Sequence, residues 1–353
     1  MGKNMIELFR TWYDRYFSDP QAALLVTVLL LSFGCLAFFG EMLAPCLASI
    51  VIAYLLETSV CSLQRLGFGR NLAAGVIFTV FILALILLVG GLVPLLSSQL
   101  TSFVRDLPGT INVWREALLR LPETYPNFLS AEQIEALTGS IRTKISSLGQ
   151  NALTVSIASI PAMVTLLVYL VLGPVLVFFL LKDKAQILAW LLSYLPRDRM
   201  VLSSVWRDVD RQIGNYVRGK FYEILIVGLV SYVCFAALGL SYAPLLGVLT
   251  GVSVIVPYIG AVVVTVPIAV AAYSQFGLVG DQFLWTMVVY GIIQALDGNL
   301  LVPLLFSDVV NLHPIAIIIS ILVFGGIWGF WGVFFAIPLA TLVHSLLNAW
   351  PRT

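Results

Sequence analysis

Between Ile292 and Ala340 an otherwise apolar sequence holds Gln294, Asp297, Asn299, Asp308, Asn311 and His313. Gln294 and Asp297 are three residues apart, a spacing that puts two side chains on one face of a helix. Asn299 follows just beyond Gly298, where a helix loosens. Asp281 is the only other charge in the sixteen residues before Asp297. An aspartate with carboxamide neighbours and freed backbone carbonyls can bind Na⁺, exchange a proton or hydrogen-bond a polar solute. It can also serve structurally, as a carboxylate that caps broken backbone. Gln294, Asp297 and Asn299 are therefore read as a candidate substrate or ion path. No phosphate-binding G-x-x-x-x-G-K-[ST] loop, G-x-S-x-G elbow or H-E-x-x-H helix occurs, so nothing marks the chain as an enzyme or as its own ATP-driven motor. His313 and His344 are the only histidines. No metal site and no cofactor are expected.

The frame around these residues is a membrane one. Hydrophobic residues make up 60% of the 353 and charged residues 10%, far fewer charges than the roughly 25% of a globular domain. Apolar runs of about twenty residues recur, the length that crosses about 30 Å of hydrocarbon. A net charge of +1 gives no reason to expect nucleic acid. The partners expected are the lipid bilayer and a small solute. Cys35, Cys46, Cys61 and Cys234 are scattered in or beside apolar segments and read as small buried hydrophobes.

Residues 1–20 interleave Ile6, Phe9, Trp12 and Phe17 with Lys3, Arg10 and Arg15, the pattern of an interfacial amphipathic helix. Segment 21–96 reads as three spans: 22–39, 43–60 after a break at Gly40-Glu41, and 72–96, closing at Pro94. Segment 97–151 mixes bases and acids with apolar residues at helical spacing, and Ser130 and Gln133 form a capping box. It reads as an extracytoplasmic helical subdomain or as a surface for a partner helix. Residues 152–181 form the next span. A polar, basic loop, 182–220, holds eight Lys/Arg. The positive-inside rule then puts both termini and 182–220 in the cytoplasm.

Residues 221–350 hold an internal repeat. Tyr242-Ala243-Pro244 leads through Pro257, Tyr258 and Gly260 to Pro267-Ile268-Ala269. Leu312-His313-Pro314 leads through Gly326, Trp328 and Gly329 to Pro338-Leu339-Ala340. Each copy follows an apolar span, 222–240 or 283–302. The half-segments are too short to cross a bilayer as helices. Two re-entrant hairpins in an inverted repeat fit, with Pro257, Tyr258, Gly260, Gly326, Trp328 and Gly329 at their tips. Full kinked spans over 242–273 and 312–344 are the alternative. His313 stands at the mouth of the second hairpin, where it is either a pH-sensitive group or a loop histidine. Glu223 sits just inside the basic segment, within reach of Lys220 or Arg218. The fold expected is an all-α polytopic membrane protein of about eight membrane segments, two of them hairpins.

An ordered set of motifs also resembles a known family. It comprises Phe178-Phe179-Leu180-Leu181-Lys182-Asp183, Gly239-Leu240-Ser241-Tyr242-Ala243, Val256-Pro257-Tyr258-Ile259-Gly260, Gln294…Asp297-Gly298-Asn299, Val302-Pro303, Leu312-His313-Pro314 and Trp328-Gly329…Ile337-Pro338-Leu339-Ala340. Together these are similar to the AI-2E family of transporters, the autoinducer-2 exporter group, across nearly the whole chain. The resemblance implies a bacterial inner-membrane protein of about eight segments with both ends cytoplasmic. It further implies export of an autoinducer-2-like solute, or Na⁺/H⁺ antiport in some members, and a homo-oligomer, a pentamer by the family's example. Many members have Glu where this chain has Asp297, so the carboxylate is kept but shortened. Three functions follow: a secondary transporter or exporter of a small polar solute, coupled to H⁺ or Na⁺; a Na⁺/H⁺ antiporter; and a non-transporting membrane scaffold.

Overall fold

The computed structural model describes residues 20–119, 139–140, 143, 160–194, 200–277, 280–306 and 313–349. Nearly all of the expected interfacial helix, much of the expected helical subdomain and the C-terminal Arg352 lie outside the described residues. Among the described residues every element is helical. Six helices of the described residues are long and apolar enough to cross a membrane: Met42–Arg65, Arg70–Thr110, Val209–Ala237, Ile259–Phe276, Asp281–Phe306 and Pro314–Phe334. Val168–Lys182 and Ala243–Ser253 are shorter apolar helices.

The elements in order are α1 (Pro20–Arg65), α2 (Arg70–Leu87), a π-helical turn (Leu88–Leu92), α3 (Val93–Leu119), α4 (Ile160–Lys182), α5 (Lys184–Ser193) and α6 (Met200–Ala237). They continue with α7 (Ala243–Ser253), α8 (Ile259–Phe276), α9 (Asp281–Leu296), a second π-helical turn (Asp297–Leu301), α10 (Val302–Phe306), α11 (Pro314–Phe334) and α12 (Ala336–Ala349). The chain forms two compact units. One comprises residues 1–80, 168–221 and 303–353, and the other 81–167 and 222–302.

In the first unit, polar groups tie α1 to its neighbours. Ser49 is fully buried and its hydroxyl contacts the Pro45 carbonyl at 2.7 Å and the Gly173 carbonyl at 3.2 Å, which fastens α1 to α4. The Arg70 guanidinium donates to the Leu181 carbonyl at 2.6 Å and pairs with Glu57 at 3.3 Å. A cation on the last carbonyls of α4 suits both the unpaired acceptors and the negative end of the helix dipole. Lys184 approaches Glu57 at 3.5 Å. The Tyr54 hydroxyl donates to Asp210 of α6. Aromatic edges join Tyr216 of α6 to Phe306 and Phe334, and Lys220 lies over the Phe306 ring at 5.1 Å.

In the second unit α6 and α7 meet backbone to backbone. A Cβ on Gly251 would stand 2.6 Å from the Ile224 carbonyl oxygen, and one on Gly247 would stand 2.7 Å from the Tyr232 Cβ. Small residues allow this approach, a recurrent device between membrane helices. Tyr290 of α9 donates its hydroxyl to the Ala261 carbonyl of α8 at 2.6 Å. Phe235, Leu246, Ile268 and Ala272 fill the core. α3 is held through its first half by Gln99, whose Oε1 accepts from the Leu245 N–H at 3.0 Å, and by Asp106, which accepts from the Tyr242 hydroxyl. That bond, more than burial, pushes the Tyr242 phenol up to about 12.

Three sequence expectations differ from these elements. The helix does not break at Gly40-Glu41, so α1 continues where two spans were expected. One helical glycine costs only about 1 kcal/mol, and Glu is a good helix former. Nor does the third span close at Pro94: α2 passes through a π-turn, where the Val93 N–H bonds the Leu88 carbonyl, and continues as α3 to Leu119. The wider turn makes room for the proline ring, which would clash with the carbonyl four residues back in a regular helix. Finally, the basic segment 182–220 is no loop where it is described. It contains α5 and the first half of α6, which runs unbroken into the membrane span.

Candidate solute-handling site

Asp297 sits where α9 gives way to the second π-turn. Its N–H reaches the Gln294 and Ile293 carbonyls, and its own carbonyl accepts from Val302, five residues on. Pro303 follows. As at Val93-Pro94, an inserted residue relieves the clash a proline would cause. The polar group is thus placed by a Val-Pro pair downstream of it. Gln294 and Asp297 are half-buried, and both Gln294 Nε2 and Asp297 Oδ1 are shielded from solvent. Gln294 Nε2 has no hydrogen-bond partner. Asn299 is on an exposed side, and its amide donates back to the Ala295 carbonyl at 2.8 Å. The structure therefore brings Gln294 and Asp297 to one face and turns Asn299 toward its own helix.

The residues expected at the tips occupy two helical hairpins, one in each unit. In the first, α7 and α8 are joined by Val254–Tyr258. Tyr258 has φ 63° and is 60% exposed, a left-handed conformation that is costly for a tyrosine. Gly260 lies just past the turn, where a Cβ would stand 1.8 Å from the Ser253 carbonyl oxygen. In the second, the reversal is at Gly329, with φ 58° and ψ −131°. Gly332 follows, and a Cβ there would stand 1.8 Å from the Phe324 carbonyl oxygen. Both hairpins thus close with a glycine against a carbonyl of the outgoing limb. Gly326 is exposed in that limb and touches nothing within 4 Å.

Trp328 packs between Phe33 at 4.9 Å and Phe324 at 6.1 Å, and its Nε1 is buried without a partner. This tip faces a cavity of about 930 Å³ within the first unit, lined by Phe38, Met42, Tyr54, Trp206 and Trp331 among others. His313 is exposed and caps α11, its Nδ1 accepting from the Ile315 N–H at 3.3 Å. That role requires an unprotonated Nδ1.

Sequence reasoning gave too little weight to α6. Lys220 is 3% exposed, Glu223 2% and Ser231 0%. The signal available was an ionisable pair one helical turn apart at the start of an apolar run. Its discount as a flank of the basic segment hid it, since burial depends on helices that come later in the chain.

A polytopic all-helical chain with polar groups at broken helix backbone is a multi-pass membrane protein built like a transporter. The profile described as AI-2E family transporter matches residues 25–352, and the chain belongs to that family. It is 46% identical over 347 residues, 98% of each chain, to the protein named "Putative permease PerM" of Escherichia coli K12. It is 22% identical over 313 residues to the "AI-2 transport protein TqsA" of the same organism, covering 88% of this chain and 87% of that one.

Proposed function

We propose that the protein is a secondary transporter of the bacterial inner membrane that moves a small polar solute past Gln294, Asp297 and Asn299. A carboxylate and a carboxamide shielded within an apolar helix, at a turn where the backbone pairing changes, carry this reading. TqsA is named for autoinducer-2 transport, which makes a solute of that kind the first to test. The two hairpins act as re-entrant elements, one from each side of the bilayer, in an inverted repeat that brings the membrane segments to about eight. Both termini lie in the cytoplasm. Asp297 couples movement to H⁺ or Na⁺, and the chain works as a homo-oligomer, taken as a pentamer.

Asp297→Asn in proteoliposomes is the test, with radiolabelled autoinducer-2 precursor and with Na⁺, each with and without an imposed pH gradient. The variant is expected to insert and assemble but to lose flux by about tenfold or more. Full flux in Asp297→Asn removes the site. Na⁺/H⁺ exchange without solute movement establishes the antiporter reading, which the same carboxylate supports.

A further inference from the structure

Four polar side chains of the second unit that hold solvent-shielded atoms belong to two helices. Glu223 and Ser231 are on α6, and Gln294 and Asp297 are on α9 and its π-turn. Glu223, Val227 and Ser231 recur every four residues and share one face of α6. Val227 is buried in a cluster with Ile293 and with Val254 of the α7–α8 turn, and Ile224 and Leu301 pack against that cluster. The polar groups therefore flank an apolar cluster to which both helices contribute.

The path of the chain sets their level. Gly251 lies against Ile224 and Gly228, and Gly247 against Tyr232, so α7 runs back along α6. α8 returns along α7 after the Val254–Tyr258 turn. α9 then runs back along α8, with Tyr273 beside Phe283 and Ala261 bonded to Tyr290. Three reversals leave α9 antiparallel to α6. From the cluster that Val227 and Ile293 share, four residues back along α6 is Glu223 and four residues on from Ile293, at the end of α9, is Asp297. The two carboxylates therefore lie to the same side of that cluster along the helix axes.

Ser231 Oγ and Gln294 Nε2 make no hydrogen bond. A buried hydroxyl or amide left unpaired costs about 1–3 kcal/mol, and the bilayer core has no water to take its place. Such orphans call for an occupant. We propose that α6 completes the site: Glu223 and Ser231 join Gln294 and Asp297 along one seam, whose ligand is an uncharged solute bearing hydroxyl groups. Each hydroxyl both donates and accepts, so it can meet the amide and the serine and also donate to a carboxylate. A bare cation would engage the carboxylates and leave the Gln294 N–H donors unmet. The inference rests on the reading that Gln294 and Asp297 line the solute path.

Cysteine accessibility tests it without knowledge of the natural solute. Cys35, Cys46, Cys61 and Cys234 are first replaced by alanine. Glu223→Cys, Ser231→Cys, Asp297→Cys and Ile268→Cys are then made singly in that background. Proteoliposomes are exposed on each side to a membrane-impermeant thiosulfonate. Ile268 is equally buried, in an apolar core, and gives the background rate. Glu223→Cys and Ser231→Cys are expected to react roughly tenfold faster or more than Ile268→Cys, because reaction needs water and exposure. Glycerol should slow that reaction, and NaCl of equal osmolarity should not. If Asp297→Cys reacts while the two α6 variants do not, this inference fails and the path reading stands. If Asp297→Cys is also inert, both fail. Protection by NaCl alone overturns the solute class. The near-isosteric Ser231→Cys keeps the test decisive should Glu223→Cys fail to fold.

Discussion

Gly260→Ala sets two physical effects against each other at a hairpin tip. Gly260 is in the first turn of α8, outside the left-handed region, so helix propensity favours alanine by about 0.5–1 kcal/mol. Packing opposes it. The added methyl would stand 1.8 Å from the Ser253 carbonyl oxygen and 2.6 Å from its carbon, whereas ordinary contact begins near 3.4 Å. The obstacle is backbone, with no flexible side chain to swing aside. The Val254–Tyr258 turn would have to open, and the Gly260 N–H to Val256 carbonyl bond of 2.9 Å would stretch with it. Overpacking of about 1–3 kcal/mol and a strained hydrogen bond of about 1 kcal/mol exceed the propensity gain, for a net loss of about 1–3.5 kcal/mol. Thermal unfolding of the detergent-purified protein reads it out, beside Gly75→Ala in α2. No atom outside the helix backbone lies within 4 Å of the Gly75 position, so that variant should gain about 0.5–1 kcal/mol. Gly260→Ala as stable as the parent would refute the argument that backbone contact shapes the tip.

Arg70→Lys should destabilise nearly as much as Arg70→Ala, by about 1–3 kcal/mol. An ammonium cannot serve the Leu181 carbonyl and Glu57 together from the guanidinium's positions, and chemical unfolding of the two variants checks this. Tyr242→Phe should lose the tie to Asp106. Because the Tyr242 phenol is raised from 10.0 to about 12, the stability it adds is full below pH 10 and fades as pH rises through 12. Wild type and Tyr242→Phe should therefore converge at the alkaline end of a stability-versus-pH series, and a constant gap would contradict the assignment. Asp297→Glu, which keeps the charge, should retain more flux than Asp297→Asn in the same proteoliposome assay.

The membrane character was legible in the sequence, and the two chain reversals fall at breaks that the sequence left open to two readings. Prolines 244, 267, 314 and 338 bracket both hairpins, and Gly329 sits at the second reversal because only glycine adopts its φ and ψ comfortably. The continuity of α1 through Gly40 and of α2 into α3 past Pro94 was not legible. Both residues weaken a helix locally, and whether it ends there depends on what the neighbouring turns can absorb. Gln294 and Asp297 stood out by chemical type, and their helix spacing was enough to place them on one face. Glu223 and Ser231 were harder to find. Their partners lie some seventy residues later, and no local period reports which face of α6 a later helix will cover.

Both π-turns accommodate one residue more than a regular helix would. Each is thus a point where the register of a long helix can shift by one position, about 1.5 Å of rise and 100° of rotation, by exchanging hydrogen-bond partners without unwinding the flanking turns. The only aspartate between Gln282 and Leu301 sits at the first residue of such a turn. Its carboxylate can be carried around the helix axis while the helices on either side stay intact.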